Sequence, residues 1–156
     1  MNLSRRRASM ALSTLPFIAT LGTSPARAQG KEVVVDMLNS GKDGSMVFEP
    51  AFVRVAVGDT VVFKPTQAGG HNSTSVHVPP GATPWNGGFD KETRVRIDKE
   101  GVYLYVCTPH KVMGMAGVIQ AGKPVNLAAA REVAKKEAAG FAMGKDRFDK
   151  ALALVK

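Results

Sequence analysis

The chain has 156 residues, with 21 Lys and Arg against 13 Asp and Glu, a formal charge of +8. Four of those arginines (Arg5, Arg6, Arg7, Arg27) fall in the first 28 residues, which hold no acid, so the rest of the chain carries 17 basic and 13 acidic side chains, +4. That modest excess, with no basic run interleaved with aromatics, excludes a nucleic-acid binder and suits attraction to an acidic protein partner.

The first element in chain order is a leader. Residues 1–28 pass from a basic start through the apolar stretch "ALSTLPFIATLG" to "ARA" at the end, the pattern of a cleavable export signal with cleavage expected after Ala28. The apolar stretch is short for a bilayer span, so no permanent membrane anchor is expected. "SRRRASM" holds part of a twin-arginine export pattern, with Ala8 and Ser9 where an apolar residue usually follows. Residues 29–156 are long enough to form a single domain with its own core. The chain has one cysteine, Cys107, so no internal disulfide staples it.

Short strands follow. "KEVVVDML" is apolar and β-branched, and "NSGKDG" supplies turn chemistry. "FVRVAV" alternates, with Val53, Val55 and Val57 expected on one face and Arg54 on the other. "GDTVVFKP" is a turn and a strand in which Val61 and Phe63 share a face. The stretch "TQAGGHNSTSVHVPPGATPWNGGFDKE" reads as a long irregular connection, of the kind that often carries function. "TRVRI" turns Val95 and Ile97 inward and Arg94 and Arg96 outward, "GVYLYVC" is a strand ending at Cys107, and "AGVIQA" is a last short strand. Such spacing, without long helices between strands, gives an all-β sandwich. Residues 126–156 differ: Asn126 as N-cap and Gly140 as stop bracket one helix. Phe148, Ala151, Leu152 and Val155 form the apolar stripe of a second.

The chemistry concentrates in "YLYVCTPHKVMGMAG". A strand delivers Cys107 to its end, Pro109 turns the chain, and Gly114 and Gly117 let the loop fold back, so that Cys107, His110 and a methionine (Met113 or Met115) can face one point. Thiolate, imidazole and weak thioether suit copper, whose trigonal Cys/His/His sites add a long axial Met. The chain has three histidines, so the further imidazole is His71 or His77. His71 follows the Val61–Phe63 strand and is favoured, whereas His77 lies among prolines that suggest an exposed surface loop. Zinc would want four strong ligands, and a cysteine nucleophile would find no oxyanion hole in this loop.

These motifs resemble those of the pseudoazurins, blue (type 1) copper proteins of the cupredoxin superfamily. The likeness spans nearly all of residues 29–156. It rests on "VDMLNSGKDGSMVFEPA", "VGDTVVFKPT" with "GHN", the loop "GVYLYVCTPHKVMGMAGVI" and the helical tail after "GKPVNL". The segment "STSVHVPPGATPWNGGF" departs from the usual pattern, so His77 and Trp85 are not placed by it. The resemblance implies a Greek-key sandwich of about eight strands with two short C-terminal helices. One copper would be held by His71, Cys107, His110 and Met115, the second methionine of "MGM". Asn72 would tie the ligand loops together. His110 would be the more exposed imidazole, beside an apolar patch with Met113 and Pro109, and Lys42 and Lys111 would rim that patch. The implied function is a monomeric periplasmic electron carrier, not an enzyme. It would take electrons from an upstream donor and pass them to a denitrification enzyme such as copper-containing nitrite reductase. The alternatives are an amicyanin-like or plastocyanin-like carrier with another partner, and a periplasmic copper-delivery protein.

Overall fold

The computed structural model describes residues 30–156; the expected export signal, residues 1–28, lies outside the described residues. Four strands open the chain: β1 (Glu32–Gly41), β2 (Gly44–Glu49), β3 (Phe52–Val55) and β4 (Thr60–Lys64). After them come β5 (Thr74–His77), β6 (Thr93–Arg96), β7 (Gly101–Val106) and β8 (Ala116–Ala121), then helices α1 (Leu127–Ala138) and α2 (Arg147–Leu152). The strands form two four-stranded sheets, ordered β2-β1-β4-β6 and β3-β8-β7-β5. β1 pairs with β4 and β3 with β8 in parallel; the other pairings are antiparallel.

Two apolar layers hold this arrangement. Val35, Phe48, Val61 and Phe63 of the first sheet pack against Tyr103, Tyr105 and Ile119 of the second. The second layer lies on the outer face of the second sheet, where Val102, Leu104, Val106 and Val118 meet Ala130, Ala134, Phe148 and Leu152 of the helices. β7 therefore points Tyr103, Tyr105 and the following Cys107 to one layer and its alternate residues to the other. That is why "GVYLYV" is an unbroken apolar run: both faces are covered, and each large side chain stabilises by roughly 1.5–3 kcal/mol through burial.

The expected alternation holds at Val53, Arg54 and Val55, and at Arg94, Val95 and Arg96. Val57 departs from it. β3 ends at Val55, before the turn at Gly58, and Val57 is 47% exposed. The sequence pattern does not mark β2 or β5 as strands. β5 is a four-residue strand with an irregular register against β7, inside the Ser/Thr-rich stretch read as a connection. Asn126 precedes α1 but makes no capping bond there. Its Oδ1 accepts from the Val102 N–H at 2.7 Å and its Nδ2 donates to the Val102 carbonyl at 2.9 Å, so it fastens the helix to β7 instead.

Tyr105 carries a tension within this core. Its ring packs edge-on against Phe48 and Phe63, with centroids 4.8 and 4.9 Å away, but its hydroxyl is buried and finds no partner among the described residues. Tyr103, by contrast, donates to the Lys99 carbonyl at 2.7 Å. An unpaired buried hydroxyl costs about 1–3 kcal/mol. Tyr105→Phe should accordingly raise the urea midpoint of the copper-free protein, by about 1 kcal/mol in stability. A clear loss of stability would mean that the hydroxyl is satisfied.

Candidate metal centre

The site is assembled at one end of the sandwich from two strand ends. β7 hands the chain to Cys107, whose backbone N–H donates to the Met115 carbonyl at 2.9 Å. Between them the loop makes a 3-10 turn, Lys111–Met113, closed by Gly114 in the left-handed region (φ 71). A Cβ at Gly114 would stand 2.5 Å from the Met143 carbonyl oxygen, so both conformation and space require glycine there. Gly117 does not turn the loop as expected: it lies within β8, where a Cβ would meet the Tyr105 hydroxyl at 2.3 Å.

His71 sits in the segment after β4, held by Asp90. That carboxylate accepts from the N–H of Gly70 at 2.9 Å and of His71 at 2.9 Å, and the Asp90 N–H donates to the His71 carbonyl at 2.7 Å. The amides of Gly70 and His71 hold the Asp90 carboxyl below its ordinary range. His71 Nε2 lies 2.9 Å from Asn39 Oδ1, an acceptor, so this nitrogen carries the proton and Nδ1 is left with a free lone pair. Burial pushes the His71 imidazole down, His110 adds to that, and Asp90 opposes it. The ring is therefore neutral and able to donate to a cation.

The geometry brings His71, Cys107 and His110 together. Cys107 Sγ is 3.9 Å from His71 Nδ1 and 3.4 Å from His110 Nδ1, and the three donor atoms all lie within 4.8 Å of one another. Donors about 2.0–2.3 Å from a shared metal would be separated by distances of this order. Cys107 and His71 are fully buried. Burial pushes the Cys107 thiol up, against the amides of Asn72 and His110, so the proton leaves when a cation takes its place. One copper ion fits this set of one soft thiolate and two imidazoles. Met115 is fully buried in the same core layer as Cys107, whereas Met113 is half-buried.

Asn72 joins the two loops, as expected of it. Its N–H reaches Cys107 Sγ at 3.5 Å, and its Oδ1 accepts from the Thr108 N–H at 2.8 Å and hydroxyl at 2.9 Å. Asn39 and Asp90, which support His71, carried no sequence signal. Asn39 read as a turn residue, and its role depends on a pairing 32 residues away.

His110 is half-buried and lies nearer the surface than His71. Two residues further along the loop Val112 is 53% exposed, and Met143 of the α1–α2 connection is 52% exposed. The two are adjacent, because the amides of Ala142 and Met143 both donate to the Val112 carbonyl. Lys111 is not a free rim cation: its Nζ pairs with Glu137 Oε2 of α1 at 2.5 Å. Lys42 is exposed on the β1–β2 turn.

His77 is not part of the site, nor is it in a surface loop. It lies half-buried on β5, with Nε2 2.9 Å from Asn126 Nδ2. The amide donates, so the imidazole accepts and is neutral. Burial pushes its pKa below the ordinary 6.5. The unfolded chain then takes up the proton first, so this contribution to stability is present above about pH 6.5 and is lost as pH falls below it. Copper-free His77→Gln should therefore lose less stability than the unmutated protein between about pH 7 and 5, measured by urea midpoints. Parallel curves would contradict this placement. Trp85 packs against Phe63, with centroids 6.0 Å apart, and its indole N–H donates to Ser73 Oγ at 3.0 Å.

Comparison with known proteins agrees with this geometry. Residues 35–122 match the family described as copper binding proteins, plastocyanin/azurin family. The pseudoazurin of Methylorubrum extorquens is 45% identical over 130 residues, covering 81% of this chain and 85% of its own. That of Paracoccus pantotrophus is 38% identical, covering 78% and 81%. The crystal structure of native pseudoazurin from Hyphomicrobium denitrificans superposes with a TM-score of 0.71 at 41% identity, covering 80% of this chain and 98% of that one. With its two sheets, helical tail and converging Cys/His/His donors, the chain belongs to the pseudoazurin family of copper-binding electron carriers.

Proposed function

We propose that this protein is an exported, periplasmic one-electron carrier whose copper would be held by His71, Cys107, His110 and Met115. The observation that carries the reading is the convergence of one thiol and two imidazoles, His71, Cys107 and His110, on a common point. Copper supplies a Cu(I)/Cu(II) couple when bound. The chain's own part is to hold that donor set in one shape. Asn39 fixes the His71 tautomer, Asn72 ties the ligand segments, and the covered β7 anchors Cys107.

Residues 1–28 direct export in this reading, and residues 29–156 are the single working domain. Among the described residues no helix is long and apolar enough to cross a membrane. In this reading His110, the less buried of the two imidazoles, would face the partner. The +4 charge of residues 29–156 draws a partner with an acidic docking surface, and a denitrification enzyme such as copper-containing nitrite reductase is the partner proposed.

Mixing the reduced, copper-loaded protein with copper-containing nitrite reductase and nitrite tests this. The expected result is second-order reoxidation that slows several-fold as salt rises from about 0.01 to 0.15 M, where the screening length shortens from roughly 30 to 8 Å. Reoxidation indifferent to salt would remove the electrostatic partner. A protein that surrenders copper to an apo-acceptor without reoxidation would replace the carrier reading with copper delivery.

A further inference from the structure

Arg147, the first residue of α2, points back across the molecule to the loop that carries His110 and Met115. Its Nη1 donates to the carbonyls of Met46 at 2.5 Å, Gly114 at 3.0 Å and Met113 at 3.4 Å, and its Nη2 to the Ser45 carbonyl at 2.7 Å. One half-buried guanidinium thus gathers backbone oxygens from the start of β2 and from the turn immediately before Met115. The acids facing it are Asp43 of the β1–β2 turn and Asp146 beside it, and neither forms an ion pair with it. A partly desolvated guanidinium is retained where its planar fork is filled by acceptors, as here.

Independent features around it point the same way. Met46 is a non-glycine residue in the left-handed region (φ 48), and its carbonyl is the guanidinium's shortest contact. Such a backbone persists where surrounding contacts hold it. Gly144, also left-handed (φ 55), lies so close that a Cβ there would sit 2.9 Å from Arg147 Nε. The preceding residues 142 and 143 bind the Val112 carbonyl, so the connection between the helices covers the outside of the same loop.

We propose that Arg147 is a positioning residue of the metal centre. Its guanidinium locks the Met113–Gly114 turn against the β2 corner, and so fixes Met115 and His110 on either side of that turn. The helical tail is then part of the machinery that keeps one loop shape through a redox cycle, and not only a cover for the second sheet. This inference rests on the copper reading of the site, but its first test does not need copper.

In the copper-free protein, Arg147→Met should speed amide hydrogen exchange at Met113, Gly114 and Met115 by about tenfold or more, as expected for losing charge-assisted hydrogen bonds. Arg147→Lys, which keeps the charge but not the fork, should fall between the two. Leu152→Ala is the control, because it loosens α2 from the sheet side where Leu152 is buried. In the copper-loaded forms, Arg147→Met should shift the Cu(I)/Cu(II) equilibrium several-fold and change the copper hyperfine splitting, and Leu152→Ala should do neither. Loop exchange in Arg147→Met and Arg147→Lys no faster than in Leu152→Ala would overturn the proposal. So would an unchanged equilibrium and splitting in both Arg147 variants. If the unmutated protein binds no copper through Cys107, the functional reading falls while the exchange comparison still decides whether Arg147 holds the loop.

Discussion

Cys107→Ala is expected to abolish the thiolate-to-copper colour completely while leaving the sandwich folded. Cys107 is fully buried just after β7, and its amide donates to the Met115 carbonyl. Removing one sulfur from that position deletes a small volume, so the copper-free variant should lose only about 1 kcal/mol of stability. The effect on metal binding is far larger. The thiol lies within reach of both imidazoles, 3.9 and 3.4 Å from their Nδ1 atoms. Copper affinity should fall by more than the roughly 10–100-fold that removing a supporting group produces. Retained colour, or a variant that fails to fold without metal, would defeat this assignment of Cys107.

Asn72→Ala should affect both binding and folding. Asn72 Oδ1 satisfies the Thr108 N–H and hydroxyl, and its Nδ2 donates to the Gly87 carbonyl at 3.3 Å. Asn72 itself is 2% exposed, so water cannot readily replace it. Losing these contacts should cost about 1–3 kcal/mol in the copper-free protein, because a polar group is left unpaired. Copper affinity should drop by about 10–100-fold as the His71 and Cys107 segments lose their tie. Urea midpoints report the first effect and chelator competition the second. A stability loss with unchanged affinity would make Asn72 a fold residue only.

The features legible from sequence were those with local causes. Alternation marked the buried and exposed faces of β3 and β6, and the apolar run marked β7. Cys107 and His110 shared a loop with evident turn residues, and His71 followed a strand that could present it. What stayed hidden depended on distant pairing. β5 is polar and short, and β7 makes it a strand. Asn126 has the side chain of a helix cap, yet the amide of Val102, 24 residues away, captures it. His77 looked like a loop residue because the covering Asn126 is 49 positions later. Lys111 is expected at the rim of the apolar patch, but α1 returns Glu137 to pair with it. Arg147 gave no signal at all, because its partners are four backbone carbonyls and carry no side-chain identity.

Whether Cys107, His71 and His110 together hold one type 1 copper is read from the visible absorption and electron paramagnetic resonance spectrum of residues 29–156 loaded with Cu(II). The expected result is an intense blue or green thiolate-to-copper band with narrow hyperfine splitting, bleached by reductant and restored by oxidant. A pale protein with ordinary Cu(II) hyperfine splitting would contradict it, because Cys107 would then not be a ligand.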